Sequence, residues 1–337
     1  MYSGGALSGL NVSRAAAVRA HAARSVARTQ RATRRRGPVS LPHGVRASWL
    51  LIDGNYLCHA AFHALPTALA WDGENTGVIY GVLRQVTALL SDLRAERVGW
   101  YWDAPPYHRR KVFSGYKAAR RDAIARESPA ERVARDALYR QADLLRTDII
   151  PDMMGMVSVS DEGYEADDLI ATWAARAQVN AGTSVVMVSA DHDLYQCLMD
   201  GVVMMYKPAS RSLYTAADFE KEYRLPPARW PWIKALAGCS SDNIPGLPGV
   251  GEATAAAWLR GELPAGKRRS VIEEGLRETL KRNLPLVRLP WPGAARMPWP
   301  GKFGGEPAAV DAVTFGAALR RVAQRYGFES LMERELI

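Results

Sequence analysis

The stretch WLLIDGN, residues 49–55, decides the fold class that this chain can adopt. Its unbroken apolar run is typical of a strand that is buried on both faces, and Gly54 and Asn55 end the run directly after Asp53. Runs of the same kind, each followed at once by an acid, recur as VGWYWDA, MMGMVSVSD and SVVMVSAD. Helical patterns alternate with them, most clearly over residues 77–93. We therefore predict an α/β fold with a mostly parallel sheet that is flanked by helices.

The composition excludes several classes of protein. The chain has 337 residues, of which 48% are apolar and 23% are charged, so a fibrous or wholly disordered protein is excluded. No uncharged apolar run reaches roughly the 18 residues that a membrane-spanning helix needs, and we expect no membrane contact. The three cysteines, Cys58, Cys197 and Cys239, are scattered and odd in number. Their pattern argues against a disulfide framework and favours the reducing interior of a cell.

The first 47 residues form a tail with nine arginines and no acid, and this tail accounts for the whole formal net charge of +9. Because it has so little apolar surface to bury, we predict that it is disordered. An organelle transit peptide, a tether that slides along DNA, and translated sequence upstream of the true start are three specific interpretations. A solvated tail without a specific role is the one that we favour. Any nucleic-acid contact of the folded part must therefore be argued from the placement of its charges.

Acids follow four of the apolar runs: Asp53, Asp103, the cluster Glu165, Asp167 and Asp168, and the pair Asp191 and Asp193. The carboxyl ends of parallel strands meet at one edge of a sheet, so these carboxylates should crowd together there. Because like charges repel, the group predicts bound divalent cations, and oxygen ligands favour Mg²⁺ or Mn²⁺ over zinc. Two such ions can activate water for the hydrolysis of a phosphodiester.

Each acid also has a structural interpretation. Asp53 can stabilise a tight turn, and Asp191 can cap the helix that follows it. Asp167 and Asp168 can favour a helix N-terminus. Any one of these acids, taken alone, is better explained in this way. All of them together at strand ends favour the metal site.

A basic stretch comes directly after Asp103. It comprises His108, Arg109, Arg110, Lys111, Tyr116, Lys117, Arg120 and Arg121. Charge runs of this kind usually form a solvated helix face. The position of this run, next to a strand that ends in an acid of the predicted metal site, favours phosphate contacts instead.

Five segments occur in an order and at a spacing that match a known family: WLLIDGNYLCHAAFHAL, YWDAPPYHRRKVFSGYKAARR, GYEADDLIATWA, VVMVSADHDLYQCL and ALAGCSSDNIPGLPGVGEATA. Together they resemble the structure-specific 5′-nucleases, which include bacteriophage 5′→3′ exonucleases, the N-terminal nuclease domain of DNA polymerase I, and flap endonucleases. The resemblance covers roughly residues 49–260, and the final FGAALRRVAQRYGF is similar to the terminal helix of the family.

The resemblance implies a domain organisation. It places a PIN-like, Rossmann-like catalytic domain over residues 48–225, with a helical arch near residues 108–150. A helix–three-turn–helix DNA-binding subdomain follows over residues 226–284. A linker or loop rich in Pro, Gly and Trp then occupies residues 285–308, and a C-terminal helix occupies residues 309–337.

The resemblance also implies roles for single residues. The implied metal ligands are Asp53, Asp103, Glu165, Asp167 and Asp168 at a first site, and Asp191, Asp193 and Asp242 at a second site. The implied catalytic residues are Arg109, Lys117 and Asp167. The implied DNA contacts are Arg109, Arg110, Tyr116, Lys117, Arg120 and Arg121 near the arch, and Gly246, Gly249 and Gly251 in SDNIPGLPGVG. In that turn, backbone N–H groups would hold a duplex phosphate together with a K⁺ ion.

Cys239 departs from the family pattern, because polymerase-type members have an acid at this position. A thiol is a poor ligand for Mg²⁺, so we expect the second metal ion to bind more weakly. Cys239 can instead pack beneath the turn as a small buried thiol, which is the role that we favour.

The resemblance implies a metal-dependent 5′→3′ exonuclease or 5′-flap endonuclease that hydrolyses phosphodiester bonds near DNA 5′ ends, flaps, nicks and junctions. It extends the substrates to RNA–DNA hybrids, and we expect a monomer in the cytoplasm of a bacterium or of a phage-infected cell. Two alternatives stay open: a DNA-junction-binding protein with weak or no catalysis, and a PIN-like ribonuclease. The eight acids, with Arg109 and Lys117, argue against the first alternative. The arch and SDNIPGLPGVG argue against the second.

Overall fold

The computed structural model describes residues 47–65, 70–71, 74–177, 182–291 and 306–332. The predicted disorder of the tail concerns residues that lie outside this part of the chain, except for Ala47. Most of the predicted linker, residues 292–305, also lies outside it.

The strands are short, and most of them belong to one sheet. In chain order they are β1 (Trp49–Asp53), β2 (Ala70–Trp71), β3 (Glu74–Asn75), β4 (Arg97–Trp102), β5 (Val157–Ser160), β6 (Val185–Val188), β7 (Val203–Lys207), β8 (Ser212–Tyr214), β9 (Gly238–Cys239), β10 (Ile244–Pro245) and β11 (Ala308–Ala309).

The α-helices surround this sheet and form the C-terminal part of the molecule. They are α1 (Gly54–Ala64), α2 (Gly77–Leu93), α3 (Tyr107–Val112), α4 (Ala118–Ala125), α5 (Pro129–Leu144), α6 (Ala166–Ala177), α7 (Ala216–Tyr223), α8 (Trp230–Ala237), α9 (Glu252–Leu259), α10 (Lys267–Val287), α11 (Ala312–Arg325) and α12 (Glu329–Met332). A π-helical segment, Leu145–Met153, continues α5, and a 3₁₀ turn, His192–Cys197, follows β6.

The main sheet has seven strands in the order β11-β4-β1-β6-β7-β8, and β5 also pairs with β4. The pairs β1–β4, β1–β6, β4–β5 and β6–β7 are parallel, whereas β8 and β11 are antiparallel edge strands. This arrangement confirms the predicted α/β fold with a mostly parallel sheet. It also explains the apolar sequence of β1, because a central strand contacts helices on both faces.

Strand β1 divides its side chains between two cores. Leu50 and Ile52 pack with helices α1, α2 and α11 on one face of the sheet, and all of these contacts are buried. Trp49 and Leu51 pack on the other face with α6, α7 and α8. Full burial of such side chains stabilises the fold by roughly 1.5–3 kcal/mol each, so the two layers hold the sheet edge in a fixed position.

The structure differs from the sequence-based expectations at three boundaries. The strand predicted for MMGMVSVSD begins only at Val157, because Met153 ends the π-helical segment. Helix α10 runs to Val287, three residues past the predicted subdomain boundary at residue 284, with Pro285 inside it. The far end of the predicted linker contains β11, which pairs with β4.

The topology places the predicted acids at one edge. Strands β1, β4, β5 and β6 run in the same direction, so their carboxyl ends lie together. Helix α1 starts directly after Asp53, α6 starts directly after Glu165, and the 3₁₀ turn starts directly after Asp191. Each acid therefore lies where a strand or loop meets the N-terminus of a helical element, which favours negative charge.

Candidate active site

Asp53 and Asp191 are joined through Ser189. One carboxylate oxygen of Asp53 accepts a hydrogen bond from the N–H of Tyr56 at 2.9 Å and thereby caps α1. The other accepts from the hydroxyl of Ser189 at 2.9 Å, and that hydroxyl accepts from the N–H of Asp191 at 3.1 Å. Asp191 in turn caps the 3₁₀ turn by accepting from the N–H of Asp193 at 2.8 Å. Asp53 and Asp191 therefore each cap a helical element, and the same two residues are linked to each other through Ser189 at the edge of the sheet.

Asp103 connects β4 to helix α6. Its carboxylate accepts a hydrogen bond from the N–H of Ala166 at 2.9 Å, and its own N–H donates to the side chain of Asn55 at 3.0 Å. Asp103 is exposed and lines a cleft of about 560 Å³. The cleft is bounded by α5 on the opposite side and is lined by Asn55, Trp102, Asp103, Ala104, Pro105, Tyr139, Ala142, Asp143 and Arg146. This cleft gives a ligand access to the acidic edge.

The acids of this edge influence one another electrostatically. Loss of water contact, together with the charge of Asp103, raises the pKa of Asp53 to about 7. Burial and the neighbouring Asp168 raise the pKa of Asp167 well above its usual range. Burial and Asp191 raise the pKa of Asp193 to about 7. Without a metal ion, these acids therefore hold their protons to a higher pH than isolated aspartates do.

Lys117 and Tyr116 hold Glu165. The ammonium group of Lys117 forms an ion pair with Glu165, and the hydroxyl of Tyr116 donates to Glu165 at 2.6 Å. Burial acts to raise the pKa of Glu165, but Lys117 and Arg109 outweigh it and lower that pKa. Tyr116 is only 2% exposed, so the structure makes it a partner of Glu165 and leaves no surface for the predicted DNA contact.

Arg109 is buried and forms a two-pronged ion pair with Asp168. Its two terminal nitrogens lie 2.5 and 2.8 Å from the two carboxylate oxygens of Asp168. Its Nε donates to the carbonyl of Leu286 at 3.1 Å, and Arg109 is 2% exposed. Asp168 also accepts from the N–H groups of Glu165 at 3.2 Å and Trp291 at 2.8 Å.

This pairing places two of the predicted site residues together. Both oxygens of Asp168 accept hydrogen bonds from protein donors, and Arg109 is its ion-pair partner. Their predicted roles, a metal ligand for Asp168 and a catalytic and phosphate-binding residue for Arg109, stay predictions. The motif GYEADD and the basic stretch after Asp103 predicted that Asp168 and Arg109 lie at the acidic edge. The sequence did not show that these two side chains form an ion pair with each other.

The remaining basic residues divide into two groups. Arg120 is exposed and lies 3.0 Å from Asp242, on the same side as Lys117, which lies 3.8 Å from Asp242. Arg121 donates to the backbone carbonyls of Tyr116 and Ser114 at 2.8 and 3.2 Å and so shapes the loop. Arg110 is half-buried. Lys117 and Arg120 are therefore the cations of the predicted stretch that face the acids directly.

Asp193 and Asp242 form the second group of acids, and Lys234 accompanies them. Lys234 is buried in α8 and lies 3.3 Å from Asp193. Burial opposes its charge, but Asp193, together with Cys239 and Glu252, outweighs burial and raises the pKa of Lys234. Cys239 is half-buried, and its Sγ lies 3.1 Å from the hydroxyl of Ser241. The thiol thus lies at the β9–β10 turn, and its packing role there stays a prediction.

The three predicted glycines of the turn differ in their surroundings. A Cβ at Gly246 would lie 2.1 Å from the carbonyl oxygen of Ala237, so close backbone packing by itself requires glycine at position 246. Gly249 has a φ of +73°, which favours glycine, and faces open space. Gly251 also faces open space and caps α9 with extended backbone. Gly249 and Gly251 therefore remain candidates for phosphate contact, whereas Gly246 serves the fold.

The donor set fits a divalent metal ion in kind. The acids supply hard oxygen ligands, and Oδ1 of Asp167 is buried without a hydrogen-bond partner within the described residues. No three His, Cys, Asp or Glu side chains in the described ranges are already arranged to hold a metal ion. Arg109, Lys117 and Arg120 form ion pairs with three of the acids, Asp168, Glu165 and Asp242. A metal ion would bind through Asp53, Asp103, Asp167 and Glu165 if Lys117 moved from Glu165.

Sequence reasoning did not identify four residues that support the site. Ser189, Asn55, Gln196 and Lys234 all contact a predicted acid or its backbone. A lysine within the apolar helix WPWIKALAG is the clearest signal among them, because a buried charge needs a partner. The other three are ordinary polar residues next to acids and carry no distinctive pattern. Among the residues that the structure describes, no helix is long and apolar enough to cross a membrane.

Comparison with known proteins relates this geometry to a family. The profile described as 5′-3′ exonuclease, N-terminal resolvase-like domain, matches residues 48–224. DNA polymerase I of Mycobacterium leprae is 35% identical over 216 residues, which make up 62% of this chain and 22% of that protein. The thermostable DNA polymerase I of Thermus aquaticus is 32% identical over 246 residues, 72% of this chain and 28% of that protein. The chain thus spans about a quarter of the length of these relatives.

Two solved structures share the fold. T5 5′-exonuclease with bound zinc ions has a TM-score of 0.60 and 18% identity, over 85% of this chain and 97% of that chain. A bacteriophage T5 flap endonuclease in a complex with DNA and metal ions has a TM-score of 0.59 and 18% identity over the same shares. The family profile spans more than half of the chain and ends just after helix α7. With its acidic sheet edge and its fold, this chain belongs to the 5′-3′ exonuclease family with the N-terminal resolvase-like domain.

Proposed function

We propose that this protein is a metal-dependent 5′-nuclease that hydrolyses phosphodiester bonds near DNA 5′ ends, flaps and nicks. The observation that carries the proposal is the acidic edge, where Asp167 has a buried oxygen without a hydrogen-bond partner beside the Glu165–Lys117 ion pair. A structural role alone does not explain such a group, because an unpartnered buried carboxylate oxygen is costly. Curated relatives of the chain are DNA polymerases, which supports DNA as the substrate.

The acids of the edge act first as ligands in this proposal. Asp53, Asp103, Glu165 and Asp167 bind Mg²⁺ or Mn²⁺, and Asp191, Asp193 and Asp242 form a second, weaker site. When bound, the divalent ions supply Lewis-acid activation of water and of the phosphodiester. Ser189 and Asn55 orient the acids through the hydrogen bonds described above.

Lys117 and Arg120 act on the substrate. Each pairs with a carboxylate that would also hold a metal ion, so with that ion bound Lys117 and Arg120 would be available to the reacting phosphate. A cation at this place stabilises the negative charge that develops on the phosphate during the reaction. In this proposal, Lys117 and Arg120 pair with acids in the metal-free protein and with the substrate phosphate in the metal-bound protein. The proposal thereby explains why acidic and basic side chains lie together at this edge of the sheet.

The duplex is held by the C-terminal subdomain in this proposal. Gly249 and Gly251 present open backbone at the N-terminus of α9, where an anion is favoured. Helix α5 borders the cleft beside Asp103, and α3, α4 and α5 fall within the range that we propose for the arch, residues 108–150. We propose that the 5′ strand enters this cleft and that RNA–DNA hybrids enter in the same way.

The test is a cleavage assay with DNA labelled at the 5′ end. Flap, nicked, blunt duplex and single-stranded substrates are each incubated with Mg²⁺, Mn²⁺ or EDTA. We expect metal-dependent release of short labelled fragments from the flap and the nicked duplex, and no reaction in EDTA. Binding of flap DNA without cleavage under every metal condition would instead support the junction-binding alternative. Cleavage of single-stranded RNA in preference to DNA would support the ribonuclease alternative.

A further inference from the structure

The last two residues of helix α10 and the four residues that follow them contact side chains that support both groups of acids. We call residues 286–291 the strap. The carbonyl of Leu286 accepts from Nε of Arg109 at 3.1 Å, and the N–H of Trp291 donates to Asp168 at 2.8 Å. The guanidinium of Arg109 also lies 5.4 Å from the centre of the Trp291 ring. The first residue of the strap therefore contacts Arg109, and the last residue contacts both Arg109 and Asp168.

Gln196 joins the strap to the second acid group. Its side-chain amide donates to the carbonyl of Val287 at 3.0 Å and accepts from the N–H of Leu289 at 2.8 Å. The same amide donates to the carbonyl of Asp193 at 2.7 Å. The side chain of Gln196 thus makes two hydrogen bonds to the strap and one to the backbone of Asp193 in its own turn.

The two ends of the strap support different acids. Asp168 lies in the first turn of α6, directly after Asp167, and it accepts from the N–H of Glu165. Gln196 lies in the 3₁₀ turn that Asp191 caps and that contains Asp193. Leu286 and Val287 are the last residues of α10 and are at most 2% exposed. Six residues of chain therefore fix the spacing between two groups of acids and connect them to the C-terminal subdomain.

We propose that the strap and Gln196 are positioning elements of the nuclease site: they set the separation between the Glu165–Asp167 group and the Asp191–Asp193 group, and hence the affinity of the site for divalent metal. The proposal rests on the proposed function, because it assigns a metal-binding role to these acids. None of the strap residues reaches the substrate in this account. They act through Arg109, Asp168 and Gln196.

The first test measures Mn²⁺ binding to the full-length protein by calorimetry. Gln196→Leu removes the three hydrogen bonds at similar side-chain volume, and Gln196→Glu keeps the acceptor for Leu289. Gln85→Leu is the matched control, because Gln85 bonds only to the carbonyl of Gly81 within α2. We expect Gln196→Leu to bind Mn²⁺ about tenfold more weakly, which is the usual effect of removing a residue that orients metal ligands. Gln196→Glu should recover part of this loss, and Gln85→Leu should match the wild type.

Further readouts separate positioning from a general loss of stability. In Ca²⁺, the affinity of Gln196→Leu for flap DNA should stay within about twofold of the wild type, while a higher Mg²⁺ concentration is needed for half-maximal cleavage. Unchanged Mn²⁺ affinity in Gln196→Leu overturns the proposal. So does a loss of Mn²⁺ affinity that Gln85→Leu shares at equal melting temperature. If the wild type binds Mn²⁺ but cuts no DNA, the proposed function fails, and the Mn²⁺ measurements still decide the role of the strap.

A second pair of variants keeps the test valid if Gln196→Leu does not fold. Trp291→Ala removes the indole ring and keeps the N–H that donates to Asp168, whereas Trp291→Pro removes both. We expect weaker Mn²⁺ binding in Trp291→Pro than in Trp291→Ala. Equal Mn²⁺ affinity in these two variants contradicts the claim that the strap acts through its backbone bond to Asp168.

Discussion

Asp53 and Asp191 each make a local hydrogen bond that caps a helical turn, and each also belongs to the acidic edge. A carboxylate has two oxygens and can therefore serve both purposes at once. In Asp53, one oxygen caps α1 while the other accepts from Ser189. The capping bond fixes the rotamer of the side chain, so the structural role and the proposed metal-binding role support each other.

Lys117 and Arg109 are expected to differ in their effects on the cleavage rate and on the melting temperature. Lys117→Ala should lower the cleavage rate about a hundredfold with little change in melting temperature, because Lys117 faces the reacting phosphate in our proposal. Arg109→Ala should lower the melting temperature strongly, because it leaves buried Asp168 unpaired at a cost of about 3–5 kcal/mol. Single-turnover cleavage and thermal unfolding of both variants check this. The reverse pattern, a stable Arg109→Ala and an unfolded Lys117→Ala, would contradict the assignment.

At the scale of elements, Gly246 and Gly251, which lie between β10 and α9, are expected to affect different properties: the stability of the fold and the binding of DNA. Gly246→Ala should destabilise the protein by at least about 2 kcal/mol, because the new Cβ meets the backbone of Ala237. Gly251→Ala should leave the melting temperature unchanged, since nothing lies within 4 Å and its φ is −95°. If α9 holds a phosphate, Gly251→Ala weakens duplex binding in Ca²⁺. Denaturant unfolding and DNA titration measure the two effects, and equal stability of both variants would show that the turn packs differently.

The strands were predictable from sequence because each apolar run ends in an acid or a turn. Residues 49–53 and 185–188 form strands where WLLID and SVVMV predicted them, and residues 77–93 form one helix as their periodicity indicates. Residues 153–156 do not form a strand although they are apolar, because the π-helical continuation of α5 ends only at Met153 and a turn with Gly155 at a φ of +66° precedes β5. Apolar character alone does not distinguish a strand from the end of a buried helix.

The acids of the site were predictable, but their partners were not. Strand ends and the motif GYEADD bring the acids to one edge. The ion pair joins Arg109 of α3 to Asp168 of α6. Residues of the strap contact both partners, because Leu286 accepts from Arg109 and Trp291 donates to Asp168. Residues 109, 168 and 291 are far apart in the chain, and a single sequence contains no signal that pairs them. Lys234 illustrates the same limit, because its partner Asp193 lies 41 residues away on another element.

At the scale of the whole molecule, the crowded acids predict an unusual dependence of stability on pH. Asp53 and Asp193 have pKa values of about 7 in the folded protein, whereas an aspartate in an unfolded chain titrates near about 3.9. Between these values the folded state binds more protons, so the free energy of unfolding falls as the pH rises. Glu165, whose pKa is lowered, contributes in the opposite sense and only at more acidic pH.

We therefore expect the melting temperature of the metal-free protein to fall between about pH 5 and about pH 8. Added Mg²⁺ or Ca²⁺ should restore more stability at the upper end, because the ionised acids bind the metal there. Asp193→Asn is the control and should show a shallower fall. A melting temperature that rises over this interval, or an Asp193→Asn variant with the same slope as the wild type, would argue against the crowded edge.

The central claim, that the acidic edge is a metal-dependent nuclease site, is tested most directly by Asp167→Asn. The measurement is single-turnover cleavage of a 5′-labelled flap in Mg²⁺, with flap affinity in Ca²⁺ and melting temperature determined on the same preparations. Because the substitution removes one charge from a crowded site, we predict that cleavage is lost while affinity and melting temperature are retained or increase. Cleavage by Asp167→Asn at a rate near that of the wild type would contradict the account.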